Sequence, residues 1–317
     1  MMQKDNFNRT AVDPSLFAPA VKDENRERIT RPVIGYWADV FRRLRQNKLA
    51  MVGLITILLL LILAFVGPAI VGYDYASQDY TKINMAPSAE NLFGTDELGR
   101  DLFTRVCYGI RYSLLIGILA AAMDFVVGVT YGGIAGMASA RVDNIMMRIA
   151  EVVYAIPYLL IVILISVMFS SEQGASLFTL VLAMSITGWV PMAIMVRGQV
   201  LQLRENEYVT ASRSLGADNG YILKNHIIPN TLGPILVNIT LTVPRAIFSE
   251  ATLSFMSLGL QPPQPSLGVL SNDGLGVMGI GLFYQIFFPA LMISLIMFSF
   301  NVLGDGLRDA LDPRLRK

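Results

Sequence analysis

Cysteine and histidine are nearly missing from this chain, which holds one of each, Cys107 and His226, in 317 residues. One cysteine excludes an internal disulfide and a cysteine-based metal site. Charge is scarce as well: Asp, Glu, Lys and Arg make up 15 % of the residues, against roughly 25 % in a soluble domain. That deficit excludes a disordered chain and argues against a water-soluble enzyme. A net charge of +1 gives no general attraction to nucleic acid. The sequence contains no G-x-x-x-x-G-K-[ST] loop to cradle nucleotide phosphates, no H-E-x-x-H and no G-x-S-x-G, so neither ATP hydrolysis nor the common hydrolase chemistries belong to it. Residues 1–30 lack the apolar core of a cleavable signal and read as a polar tail.

What the chain does have is long apolar runs; 54 % of it is hydrophobic. A helix needs about 20 apolar residues to cross the hydrocarbon core, and lipid offers the backbone no hydrogen-bond partners, so spans are helices or closed barrels. These runs do not alternate polar with apolar and therefore read as helices. They are Met51 to Ile70, Tyr112 to Met137, Val152 to Phe169, Ser176 to Val196, one beginning near Thr231, and one from about Tyr284 towards Gly304. The expectation is an all-α integral membrane protein with six transmembrane helices. Lys and Arg gather before the first run (Arg42, Arg43, Arg45, Lys48), after the second and fourth, and in the tail. That bias predicts cytoplasmic termini on both sides of an even number of spans. The chain then divides into a cytosolic tail at 1–32, a basic juxtamembrane segment and first span at 33–72, an extracytoplasmic loop at 73–110, a core at 111–304 and a cytosolic tail at 305–317. Residues 33–48 read as an amphipathic helix on the membrane surface.

Within the spans, Gly128, Gly132 and Gly136 recur every four residues and predict a face that another helix approaches closely. Pro157 and Pro191 predict kinks. Charges inside a membrane are costly and face a bundle interior or an aqueous cavity, which makes Asp124, Arg245 and Glu250 the candidates for lining a solute path. The outer segment from Thr95 to Asp101 alternates carboxylates with Arg100 and reads either as a cover over the path mouth or as a solvated loop tied by local ion pairs.

The connection at 197–230, between the fourth and fifth runs, is long for a plain loop. Glu205 to Leu215 reads as a short helix, Gly216 as its left-handed end, and Asp218 or Asn219 as the cap of a second helix to about Ile227. Pro229 and Asn230 then begin the turn into the fifth span. Ala211, Ser212, Gly216 and Ala217 make a low surface that another protein can approach, rimmed by Tyr208, Arg204 and Arg213.

Thr210-Ala211-Ser212, three residues, Gly216, and then His226-Ile227-Ile228-Pro229 resemble the E-A-A, three residues, G, nine residues, I-x-L-P loop of ABC importer permeases. Thr210, Ser212, His226 and Ile228 depart from its residues but keep its spacing. Phe93 to Leu114, with G-T-D-E-L-G-R-D, Ser249 to Gly268, with its Q-P-P, and the ending Gly304 to Lys317 are similar to segments of the oligopeptide/dipeptide/nickel branch. The lead-in Arg42 to Val71 resembles its C-type subunit.

The resemblance implies a type I (MetI-like) importer permease fold. It also implies half of a translocation path for oligopeptides or dipeptides, with nickel or another small solute as the alternative. Implied partners are a second, B-type permease, two cytosolic ATPases that bind ATP and Mg2+, and an extracytoplasmic solute-binding protein; this chain would hold no cofactor or metal of its own. Its ATPase-coupling surface would be Tyr208, Ala211, Ser212, Gly216, Ala217, His226 and Pro229. The implied location is a bacterial or archaeal plasma membrane. A secondary transporter is the chief rival, but no repeat relates residues 50–170 to 175–305.

Overall fold

The computed structural model describes residues 35–169, 176–261 and 263–312 (backbone only at Ser166); the tail at 1–32 and the last five residues lie outside them. Among the described residues the regular elements are helical. They are α1 (Tyr36–Gln46), α2 (Lys48–Val71), α3 (Leu102–Met137), α4 (Ala140–Ala155), α5 (Tyr158–Phe169), α6 (Leu177–Leu203), α7 (Glu207–Ser214), α8 (Asn219–Ile222), α9 (Ile228–Phe255), α10 (Leu267–Val277) and α11 (Tyr284–Leu311). Among the described residues five helices are long and apolar enough to cross a membrane, and α4 with α5, bent by 78° at their junction, brings the number to six if the pair is one broken span.

Several boundaries differ from the sequence reading, each for a local reason. Helix α3 begins at Leu102, not Tyr112, because the Asp101 carboxylate caps it, accepting from the Thr104 N–H at 2.8 Å. The third run is interrupted: the chain breaks at Ile156–Pro157, between α4 and α5, where proline disfavours helical backbone in the residue before it. Helix α6 passes through Pro191 as one element. No turn forms at Pro229. A π-helical segment, Leu223–Ile227, joins α8 directly to α9. Proline is tolerated at a helix start because it lacks only an N–H, and here the side-chain amides of Asn225 and Asn230 donate to the Tyr221 and His226 carbonyls at 3.1 and 2.6 Å. Helix α11 continues to Leu311, so the tail's first residues are helical.

Small residues set how closely the helices meet. A Cβ on Gly132 would strike the Ala193 carbonyl, and one on Gly128 would lie 2.6 Å from the Met192 Cβ; the glycine face of α3 therefore lies against α6. Gly53 of α2 meets the Ser299 carbonyl of α11 in the same way. Leu102, Ile110, Ile247, Leu267 and Ile296 anchor a core shared by α3, α9, α10 and α11, with Leu60 of α2. The other face of α2 leaves Val52, Ile55, Leu59, Ile62 and Phe65 exposed, the surface expected of a helix against lipid. Helix α1 buries Val40 against Ala310 and Leu311 and exposes Trp37 and Phe41.

The outer segment is not a solvated loop. Thr95, Asp96, Arg100, Asp101 and Arg105 are all buried. Asp96 accepts from Arg100 Nε at 2.7 Å and also pairs with Arg105, and Arg105 reaches Asp273 of α10 at 3.6 Å. The Thr95 carbonyl accepts from Tyr284 Oη and Gln285 Nε2, both at 3.1 Å. This ionic knot ties the loop to α3, α10 and the start of α11.

Candidate functional site

The 197–230 connection forms a foot at the end of the bundle shared with α1. Its first helix, α7, is shorter than the Glu205–Leu215 reading, and Gly216 ends it at φ +91°, a backbone region that costs glycine little. The Asp218 carboxylate caps α8, accepting from the N–H groups of Gly220 at 3.1 Å and Tyr221 at 3.3 Å.

The foot has two faces of opposite character. Its inner face is apolar: Val209, Ile222 and Ile227 are fully buried among Val129, Met192, Val196, Val200 and Ile235. Each such side chain contributes about 1.5–3 kcal/mol on burial, so the foot is fastened to α3, α6 and α9. Its outer face is an open concavity of about 700 Å³ lined by Tyr208, Ala211, Ser212, Gly216, Ala217 and His226, with Leu215, Asp218 and Tyr221. Every residue of the expected coupling surface thus meets there except Pro229, which lies at the root of α9. A Cβ on Gly216 would meet nothing within 4 Å, and Leu215 is 90 % exposed. His226 lies 3.3 Å from the Ser212 hydroxyl, between the edges of Tyr208 and Tyr221.

Polar links fix the foot's surroundings. Arg204, read from sequence as a rim residue, donates to the Gly136 carbonyl at 2.9 Å and so ties α6 to α3. Arg197 makes a two-pronged pair with Asp143 of α4, at 2.5 and 2.7 Å, the geometry that suits a planar guanidinium. Tyr131 donates to the Met146 carbonyl at 2.7 Å. No sequence signal joins Asp143 to Arg197, which are 54 positions apart.

A second region lies inside the bundle. A cavity of about 290 Å³ is lined by Asp124, Tyr154, Tyr158, Thr187, Gly188, Asn238, Thr242 and Arg245, among others. Asp124 of α3 and Arg245 of α9 therefore line the same cavity. Glu250 does not join them: it is fully buried, and its carboxylate accepts from Ser254 and Ser266 at 2.6 Å each and from Ser113 at 3.2 Å. It clasps α3, α9 and the start of α10, which is where five residues round a helix from Arg245 points it.

Long apolar helices, a fastened foot and a cavity that holds an acid and a base among apolar side chains suit a multi-span membrane protein. The model of the binding-protein-dependent transport system inner membrane component matches residues 128–317, and that of the N-terminal transmembrane domain of oligopeptide transport permease C matches residues 35–87. The dipeptide transport system permease protein DppC of Bacillus subtilis (strain 168) is 51 % identical over 298 residues, covering 93 % of this chain and 92 % of that protein. The oligopeptide transport system permease protein OppC of the same organism is 47 % identical over 309 residues, covering 96 % and 99 %. Among solved structures, the MetNI methionine ABC transporter in inward-facing conformations matches with a TM-score of 0.50 at 19 % identity, covering 64 % of this chain and 94 % of that one; this likeness bears on the fold alone. The chain belongs to the family of binding-protein-dependent transport system inner membrane components, in its OppC/DppC-like branch. It is a multi-pass inner-membrane transport subunit with a MetI-like fold, and not an enzyme.

Proposed function

We propose that this chain is the C-type permease subunit of an ATP-driven importer of dipeptides or oligopeptides, and that it forms half of the translocation path with a second, homologous permease. In this reading both termini and the foot are cytoplasmic. Two ATPase subunits, which carry the ATP and Mg2+, dock below, and one of them receives the foot. A solute-binding protein delivers the peptide from the other side. The relatives' names support the solute class. The observation that carries the coupling role is the foot's division into an apolar root and an open outer face of small residues.

The mechanism follows from that division. Nucleotide binding displaces the ATPase. The displacement enters through the outer face around Ala211, Ser212 and Gly216. Because Val209, Ile222 and Ile227 are sealed against α3, α6 and α9, the foot passes the motion to those helices instead of absorbing it. The bundle then shifts between outward-open and inward-open arrangements, with ATP favouring one of them. Gly216→Asp tests this in the assembled complex. The variant should insert and assemble yet lose ATP-driven peptide uptake, since its charged side chain projects from the open outer face and an L-residue at φ +91° strains the turn that presents that face. Wild-type uptake by this variant would refute the docking role.

A further inference from the structure

The cavity inside the bundle contains an arrangement that packing alone does not explain. Asp124 is 7 % exposed, and its Oδ1 has no hydrogen-bond partner among the described residues. A buried carboxylate without a partner is costly. Arg245 lines the same cavity but forms no ion pair with Asp124. Room is made for the carboxylate: a Cβ on Gly188 of α6 would lie 2.6 Å from Oδ1 and 2.9 Å from Oδ2. Neutral hydroxyl and amide groups of Thr187, Asn238 and Thr242 share the lining with the ring of Tyr158. No group of three or more His, Cys, Asp or Glu side chains placed to hold a metal ion occurs among the described residues.

Resting on the peptide-permease reading above, we propose that this cavity is a transit subsite for the zwitterionic backbone of an unblocked short peptide. Asp124 supplies the counter-charge to the α-ammonium group, and Arg245 the counter-charge to the α-carboxylate. An acid on α3 and a base on α9 that line one cavity without pairing complement a molecule that carries both charges. An ammonium ion gives the carboxylate the hydrogen bonds it lacks, and the hydroxyl-lined wall tolerates side chains of varied kind. The subsite thus reads what all peptides share and leaves side-chain selection elsewhere.

The test uses the complete transporter, reconstituted with its partner permease and ATPases. Thr242→Cys places a thiol in the cavity lining, and its modification is timed with cationic trimethylammonium and anionic sulfonate methanethiosulfonates. The cationic reagent should react faster, and Asp124→Asn should reduce the cation-to-anion rate ratio on the order of tenfold, as expected for one charge at intermediate dielectric. Trialanine should slow modification, whereas N-acetyl-trialanine amide should not. An unchanged ratio, or equal protection by the blocked peptide, overturns the proposal. So does uptake that is lost in Asp124→Asn and restored in Asp124→Asn/Arg245→Gln, because that pattern marks an internal ion pair. Thermal stability of Asp124→Asn should equal or exceed wild type; a lower value, with an unchanged rate ratio, makes Asp124 structural and overturns the subsite. Absence of ATP-driven peptide uptake by the wild-type complex would sink the permease reading. Uptake intact in wild type and in Asp124→Asn, with an unchanged ratio, sinks the subsite alone.

Discussion

The foot and the outer ionic knot sit at opposite ends of the bundle and are built on opposite principles. The foot buries aliphatic side chains inward and leaves its outer face uncovered, with Leu215 and Gly216 facing open space. The knot buries its charges and pairs them within the chain, leaving Arg105 Nε without a hydrogen-bond partner among the described residues: Asp96 holds Arg100 and Arg105, and Asp101 caps α3 while accepting from Asn91 at 2.8 Å. A surface that leaves its low face open is suited to a partner. A polar cluster that consumes its own charges is suited to holding α3, α10 and the loop in one register. Buried ion pairs add little net stability but make removal of one member expensive, whereas apolar roots contribute to stability directly.

This contrast can be broken at either end. The largest effect on transport is expected at Gly216→Asp, with uptake lost and assembly kept. At the knot, Asp96→Ala leaves Arg105 buried with only the distant Asp273, and should destabilise the protein by about 3–5 kcal/mol, read as a lower melting temperature of the purified complex. At the foot's root, Ile222→Ala should cost about 2–4 kcal/mol and loosen the foot from α6 and α9. Hydrogen exchange should then quicken in residues 207–227 before it does elsewhere, and simultaneous exchange throughout would contradict a separately fastened foot. Arg197→Lys keeps the charge but loses the two-pronged geometry with Asp143, so a loss of about 1 kcal/mol is expected, seen as a small melting shift.

The smallest effect concerns pH. Lys82 and Glu90 pair on the exposed loop. Their mutual hydrogen bond raises the Lys82 ammonium above its ordinary range and lowers the Glu90 carboxyl below its own. The Glu90 contribution is present above the ordinary carboxylate range and fades as pH falls through the lowered value. The Lys82 contribution is present below the ordinary lysine range and fades as pH rises through the raised one. Exchange protection of residues 80–92 should therefore be flat near neutrality and decline slightly at both extremes.

The spans were legible because lipid imposes a length and a polarity that few other environments share. The foot was legible through local chemistry: a glycine that ends α7, an aspartate that caps α8, and small residues between them. What escaped was non-local. Nothing in the sequence joins Asp143 to Arg197, or Ser113 and Ser266 to Glu250, because those contacts exist only once α3, α4, α6, α9 and α10 have packed. The knot was misread as potentially solvated because alternating charges look alike whether water or protein surrounds them. The break at Pro157 was foreseen as a kink, but not its 78° bend or the contacts from Arg197 and Tyr131 that hold α4. The expected turn at Pro229 did not form because proline is accommodated in the first positions of a helix, and Pro229 stands at the start of α9.

The π-helical segment from Leu223 to Ile227 has a geometric consequence. Such a segment carries one residue more than the same length of ordinary helix needs, and each residue turns a helix by about 100°. The surplus sets the azimuth at which α8 leaves the axis of α9. Deleting a single position there would keep the rod unbroken while swinging its far end about a quarter-turn, so that the same side chains would face a different direction.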